Sequence, residues 1–334
     1  MEKKRIIGID VMQGIAMVLV VLGHHRFPFM PEWYMRMFYW IYTFHMPLFI
    51  FISGFLVRYS YKGVHGWSEY RSYIGKRVRK FVPPYLIVGT ICTLMAWNFK
   101  DIGALLTSWA NLIIAPKQSE VTFLWYIYLL FIFYCIAPLL FNAKRWVRGV
   151  VFIVALLLSI HYIAVLYLCI DWFTRYFVFF LMGAWAAEHY AQLEQIDVRW
   201  SLLALVAFIV MSVCHFCGGY NASLEYAMQW MGIPAFVCVA WLLKQVAVVR
   251  KALVYVSVNC FGVYLLHMFF VQAGAMVITH LPWAIPSWGY VIYLLISTAV
   301  SIGATAWGYN AMNRVVTKTK TPTREERWLR RRKL

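Results

Sequence analysis

The chain has 334 residues, 63% of them hydrophobic and only 13% charged, with a mean hydropathy of +0.68 and a formal net charge of +18. A soluble domain carries roughly 25% charged residues, so an ordinary soluble globule is excluded. Apolar stretches of about 20 residues recur along nearly the whole length, which predicts an all-α, polytopic integral membrane protein. Nucleic acid is excluded as a partner because no soluble module carries a reading element.

The N-terminus, Met1-Glu2-Lys3-Lys4-Arg5, resembles the charged part of a signal peptide, but no small-residue cleavage site follows the apolar run. An uncleaved first span is expected. Ten spans are predicted, at residues 9–25, 42–58, 82–99, 122–141, 149–168, 173–189, 201–217, 227–243, 253–273 and 288–310. With the N-terminus inside, 26 Lys and Arg fall on the inner side and 5 on the outer, which points to ten transmembrane helices with both termini cytoplasmic. Residues 1–313 form a single transmembrane domain in this reading, and 314–334 a basic cytoplasmic tail that lies on the anionic leaflet or frays.

Pro83 and Pro84 are expected at the start of the third span, where a missing N–H is tolerated. The moderately apolar segment from Asp101 to Pro116 is too short for a span and reads as an interfacial or re-entrant piece on the outer side. The seven cysteines lie nearly all in apolar segments, so no disulfide framework is implied. Cys214-His215-Phe216-Cys217 has metal-like spacing but lacks a second ligand pair, and no metal is expected. Asn221-Ala222-Ser223 is a glycosylation sequon on a predicted outer loop. Phosphate-binding loops of the nucleotide type are absent, so ATP is not expected.

A titratable group at membrane depth is costly and marks function, and imidazole moves protons near neutral pH. His24 and His25 end the first span. Gln13 stands eleven residues before His24, about three turns and roughly 16 Å, so the two project almost the same way without touching. Asp10 lies within about 40° of that direction. Asp10, Gln13 and His24 are therefore candidates to line one path, with anchoring of the inner interface as the plainer role for the first two. His45 opens the second span at the level of His24, which suggests a shared polar pocket. Ser53 and Gly54 are small residues that permit close helix contact. Lys76, Arg77, Arg79 and Lys80 precede the third span at spacings that can share a helix face. Such a face suits phosphates, and it also satisfies the positive-inside rule.

The run Gly8-Ile9-Asp10…Gly14-Ile15-Ala16…Val20-Val21-Leu22-Gly23-His24 resembles the opening of the membrane acyltransferase family 3 proteins. So do Phe44-His45-Met46-Pro47-Leu48-Phe49…Ser53-Gly54-Phe55, then Arg77…Arg79…Pro84-Tyr85, Leu124-Trp125-Tyr126 and Gly262-Val263-Tyr264-Leu265-Leu266-His267. The likeness is dense from about residue 5 to 86 and sparse thereafter. It implies an O-acyltransferase of the cytoplasmic (inner) membrane, with His24 catalytic. Acetyl-CoA or another acyl-CoA would be the co-substrate and a carbohydrate, lipid-linked glycan or other cell-envelope hydroxyl the acceptor, with no permanently bound cofactor. Lys76, Arg77, Arg79 and Lys80 would then hold the CoA phosphates. Asp10, Gln13 and Ser53 would line the donor path, and His45, Tyr126 and His267 are candidates for oxyanion or catalytic support. Many members carry Arg where this chain has Gln13, so a charged anion clamp is missing at that position. Tyr264 could tune the pocket, though packing is its more ordinary job. A proton-coupled transporter or flippase of an envelope intermediate is the alternative. Intramembrane histidines suit it, but no inverted repeat or broken-helix pair is visible.

Overall fold

The computed structural model describes residues 5–96, 101–195, 198–218, 221–281 and 285–319. Every regular element among them is helical, as hydrocarbon requires of a chain that must satisfy its own backbone groups. In chain order these are α1 (Ile7–Gly23), α2 (Glu32–Ser60), α3 (Trp67–Ala96), α4 (Ile102–Ile114), α5 (Trp125–Phe141), α6 (Arg145–Ile160), α7 (Ile170–Glu188), α8 (Tyr190–Leu193), α9 (Val198–Gly218), α10 (Ala222–Leu243), α11 (Ala247–Val258), α12 (Cys260–Thr279) and α13 (Ser287–Thr319). Short 3-10 turns fill Pro116–Gln118, Thr122–Leu124 and Tyr167–Cys169.

Among the described residues, seven segments are long and apolar enough to cross a membrane: Glu32–Ser60, Trp67–Ala96, Thr122–Phe141, Arg199–Gly218, Ala222–Leu243, Cys260–Thr279 and Ser287–Ala311. The other three expected spans fall on α1, α6 and α7, of 17, 16 and 19 residues. Several expected boundaries move. The second helix starts at Glu32 rather than near residue 42, so His45 lies within it instead of opening it, and α6 ends at Ile160 rather than near residue 168. Pro83 and Pro84 do not start a helix; they lie inside α3, which begins at Trp67 and carries the basic residues within it. The ninth span does not start near residue 253; a break at Asn259 separates α11 from α12, so the apolar helix runs from Cys260 to Thr279. At the C-terminal end, α13 stays helical to Thr319, into the stretch assigned to the basic tail. Residues 320–334 of that tail lie outside the described residues.

α1 is buried along most of its length, with Val11, Ala16, Met17 and Val21 fully enclosed, and it packs against α2, α10, α11, α12 and α13. α2 and α7 meet more closely still. A side chain at Gly54 would collide with the Phe180 backbone, and one at Gly183 with the Phe51 backbone. Small residues let two backbones approach to this distance in lipid.

α4, the segment expected to be interfacial or re-entrant, packs against α3. Tyr85 Oη donates to the Leu112 carbonyl at 2.6 Å, and Trp109 Nε1 donates to Thr90 Oγ1 at 3.0 Å. α4 therefore runs antiparallel along the later half of α3 and reaches a level eleven residues, about 16 Å, before its end. Lys117 then pairs with buried Asp171 at the start of α7 and lies 4.1 Å over the Trp172 ring, tying the returning chain down.

Candidate active site

The C-terminal ends of α1 and α3, the N-terminal ends of α5, α7 and α10, a middle turn of α2 and much of α12 gather around one cavity of about 820 Å³. Those helix ends therefore lie at one end of the bundle. His24 and His45 both line the cavity, as the shared-pocket reading expected. Tyr42, Glu120, Thr122, Arg175, Glu225, Gln229 and Gln272 add polar groups, and Trp125, Trp172, Tyr176 and Tyr264 add aromatic walls.

His24 is the C-cap of α1. Its Nδ1–H donates to the Val20 carbonyl one turn earlier, at 2.6 Å. A carbonyl only accepts, so Nδ1 carries the proton and Nε2 keeps its lone pair. No hydrogen bond from the described residues reaches Nε2. The end of the helix is braced on both sides. Tyr34 Oη donates to the Leu22 carbonyl at 2.7 Å, and His25, with Nδ1–H on the Val21 carbonyl, accepts at Nε2 from Ser297 Oγ at 2.9 Å. His25 is fully buried and takes no part in the cavity.

The three residues expected to support the oxyanion are placed differently. His45 donates Nδ1–H to the Ile41 carbonyl at 2.7 Å. In its neutral form it therefore presents an acceptor to the cavity. His267 packs edge-on to His24, with ring centroids 4.8 Å apart, and its Nδ1–H is directed at the Val263 and Tyr264 carbonyls. Its buried Nε2 has no partner and is likewise an acceptor. Ser53 Oγ donates to the Phe49 carbonyl at 2.9 Å, so Tyr126 Oη is the donor in their 2.5 Å contact and its proton is already used. Ser53 and Tyr126 lie outside the cavity lining.

Asp10 and Gln13 also lie away from the cavity. Asp10 pairs with Arg5, and Ser257 Oγ donates to Gln13 Oε1 at 2.8 Å. Ser257 stands 3.4 Å from Asp10 Oδ1 as well, so this polar group ties α1 to α11. Gln13 is thus held as a hydrogen-bond acceptor rather than lining a path with His24.

The basic group splits. Arg77 turns inward between the rings of Tyr73 and Tyr134, at 4.4 and 4.8 Å, with its Nε buried and unpartnered. Lys76, Arg79 and Lys80 are exposed. None of the four lines the His24 cavity. The separation is nevertheless short. Lys80 Nζ lies 5.7 Å from the Phe261 ring, and His267 touches His24. Phe261 and His267 are six residues apart on α12, about 9 Å of helix. Tyr264 stands between them, its hydroxyl bonded to the Phe123 carbonyl and its ring 5.2 Å from Tyr126.

Sequence reasoning missed Tyr42, Arg175, Glu225 and Gln229. Glu225 and Gln229 are four apart and Trp172 and Arg175 three apart, spacings that put each pair on one helix face. That signal was present, but nothing in it said which helices converge. No group of three or more His, Cys, Asp or Glu stands together as metal ligands among the described residues. Cys214 and Cys217 are free and exposed, and Asn221 caps α10 by accepting from the Leu224 N–H at 3.0 Å.

A helical bundle with several membrane-length segments and a histidine-lined cavity at one end defines a multi-pass membrane protein with an open, mixed polar and aromatic cavity. The family model described as an acyltransferase domain matches residues 6–306, and the chain belongs to the membrane acyltransferase family 3. No curated protein and no solved structure matches it.

Proposed function

We propose that this protein is an O-acyltransferase of the cytoplasmic membrane, with ten transmembrane helices and both termini in the cytoplasm. An acyl group, acetyl from acetyl-CoA, passes to a hydroxyl of a carbohydrate or other cell-envelope acceptor. The observation that carries this reading is His24: its Nδ1–H is committed to the Val20 carbonyl, and its ring opens on the large cavity. The mixture of aromatic rings with Glu225, Gln229 and Gln272 in the wall suits an acceptor rich in hydroxyls.

His24 Nε2 takes the proton of the acceptor hydroxyl as the oxygen attacks the thioester carbonyl. General base help of this kind contributes about 10²–10⁴-fold. The C–S bond then breaks, and the proton passes from His24 to the leaving sulfur. An acyl-histidine relay through the same nitrogen is the second chemical route. The exposed Lys76, Arg79 and Lys80 receive the CoA phosphates, with Arg77 behind them. α3 carries both these residues and the cavity-lining Cys92, Met95 and Ala96, so donor and acceptor would meet along one helix. Tyr264 must move aside for the thioester to reach His24.

The test is purified protein with radiolabelled acetyl-CoA and envelope glycan. Label transferred to the glycan, and lost in His24→Ala while the variant stays inserted and folded, supports the enzyme. Full transfer by His24→Ala ends the scheme. Movement of an intermediate across the bilayer without covalent change would favour the carrier instead.

A further inference from the structure

A tetrahedral intermediate needs a hydrogen-bond donor aimed at its oxyanion, and none of the expected groups offers one. Neutral His45 and His267 present lone pairs, and the Tyr126 proton is spent on Ser53. The hydroxyl of Tyr264 is bonded to the Phe123 carbonyl. Thr43, also in the cavity wall, donates its hydroxyl to the Trp40 carbonyl at 2.7 Å.

Tyr42 is different. It lines the cavity, and its hydroxyl has no hydrogen-bond partner among the described residues. Its ring edge lies against Gly23, the residue before His24: a Cβ placed there would fall 2.9 Å from Tyr42 Cε2. Phe38 holds the ring from one side at 4.2 Å between centroids, and the His45 ring lies at 4.6 Å. Tyr42 keeps 42% of its surface exposed, but a phenol whose ring is held by Phe38, His45 and Gly23 and whose oxygen is idle, beside the helix end that carries the base, can serve as a positioned donor.

We infer that the Tyr42 hydroxyl is the oxyanion donor of the acyl-transfer step, an assignment that rests on the acyltransferase reading above. The acceptor oxygen bonds to the thioester carbon, the C=O pair moves onto oxygen, and Tyr42 O–H donates to that oxygen. Its own proton stays in place. As the carbonyl re-forms, the C–S electron pair leaves with sulfur, which takes the proton held by His24. Tyr42 thereby touches the reacting atoms and counts as a catalytic residue.

The experiment compares wild type, Tyr42→Phe and His24→Ala as full-length protein in detergent, with acetyl-CoA and glycan acceptor. Tyr42→Phe should lower kcat by about 10²–10³-fold, leave both KM values within a few-fold, and leave the melting temperature unchanged because the hydroxyl bonds to nothing in the fold. A Tyr42→Phe enzyme with near wild-type kcat, or with a loss confined to KM, overturns the assignment. 3-Fluorotyrosine at position 42 is a second probe that keeps the ring and makes the hydroxyl more acidic: turnover and its alkaline limb should shift, and an unchanged profile overturns the assignment too. His24→Ala separates the two failures. An inactive His24→Ala beside a fully active Tyr42→Phe removes Tyr42 alone, whereas a fully active His24→Ala removes the reaction scheme itself.

Discussion

His24 and His25 are consecutive, yet helical geometry turns neighbours about 100° apart, and the two rings serve different ends. His25 is locked to Ser297 across α13, while His24 faces the cavity. Ser297→Ala leaves a buried imidazole nitrogen without its donor, so it should cost about 1–3 kcal/mol of stability while acyl transfer by the folded fraction persists; thermal unfolding in detergent, read beside activity, checks this. His24→Gln should do the reverse, keeping the melting temperature and losing turnover. Proton dependence follows from the same lone pair. An imidazolium cannot accept a proton, so turnover should fall as the pH drops through the titration of His24, and a pH–rate profile without an acidic limb would contradict the base assignment.

Between helices, the decisive contacts are made by backbone rather than by large side chains. Gly54 and Gly183 place α2 and α7 against one another reciprocally. Gly183→Val forces those backbones apart and should destabilise the protein on the order of 1–3 kcal/mol, visible as a lower melting temperature and, because α2 carries Tyr42 and His45, as reduced transfer. Pro47 adds a local consequence on α2. It has no N–H for the Thr43 carbonyl, so a helix turn lining the cavity keeps an unspent acceptor. α4 works at this scale too: a 13-residue helix is about 20 Å long and cannot cross a bilayer core of roughly 30 Å. It instead folds back along α3 and delivers Glu120 and Thr122 to the cavity wall.

Across the whole molecule, charge separates the two ends. Arg58, Arg145, Arg148 and Lys244 stand at or near helix ends that do not line the cavity, and Arg58 and Arg148 both pair with Glu188 at 2.7 and 2.6 Å. In the proposed orientation that end faces the cytoplasm. With Cys214 and Cys217, which are free and exposed, first replaced by Ser, a cysteine introduced by Arg36→Cys should react with a membrane-impermeant thiol reagent added to intact cells, and one from Lys244→Cys only after lysis. The opposite result would invert the topology and remove the cytoplasmic donor route.

The sequence by itself determined the helical class, the membrane setting, the family and the histidine worth watching. Each of these depends on local hydrophobicity, charge bias or short motifs, which neighbouring residues encode. Only the tertiary structure decided which helices converge. That convergence withdrew Gln13, Asp10, Ser53 and Tyr126 into local hydrogen bonds and left His45 and His267 as acceptors. It also brought Tyr42, Arg175, Glu225 and Gln229 to the cavity from three separate helices. A hydrogen-bond role depends on what stands across the gap, and side-chain spacing along one helix carries no record of the partner helix.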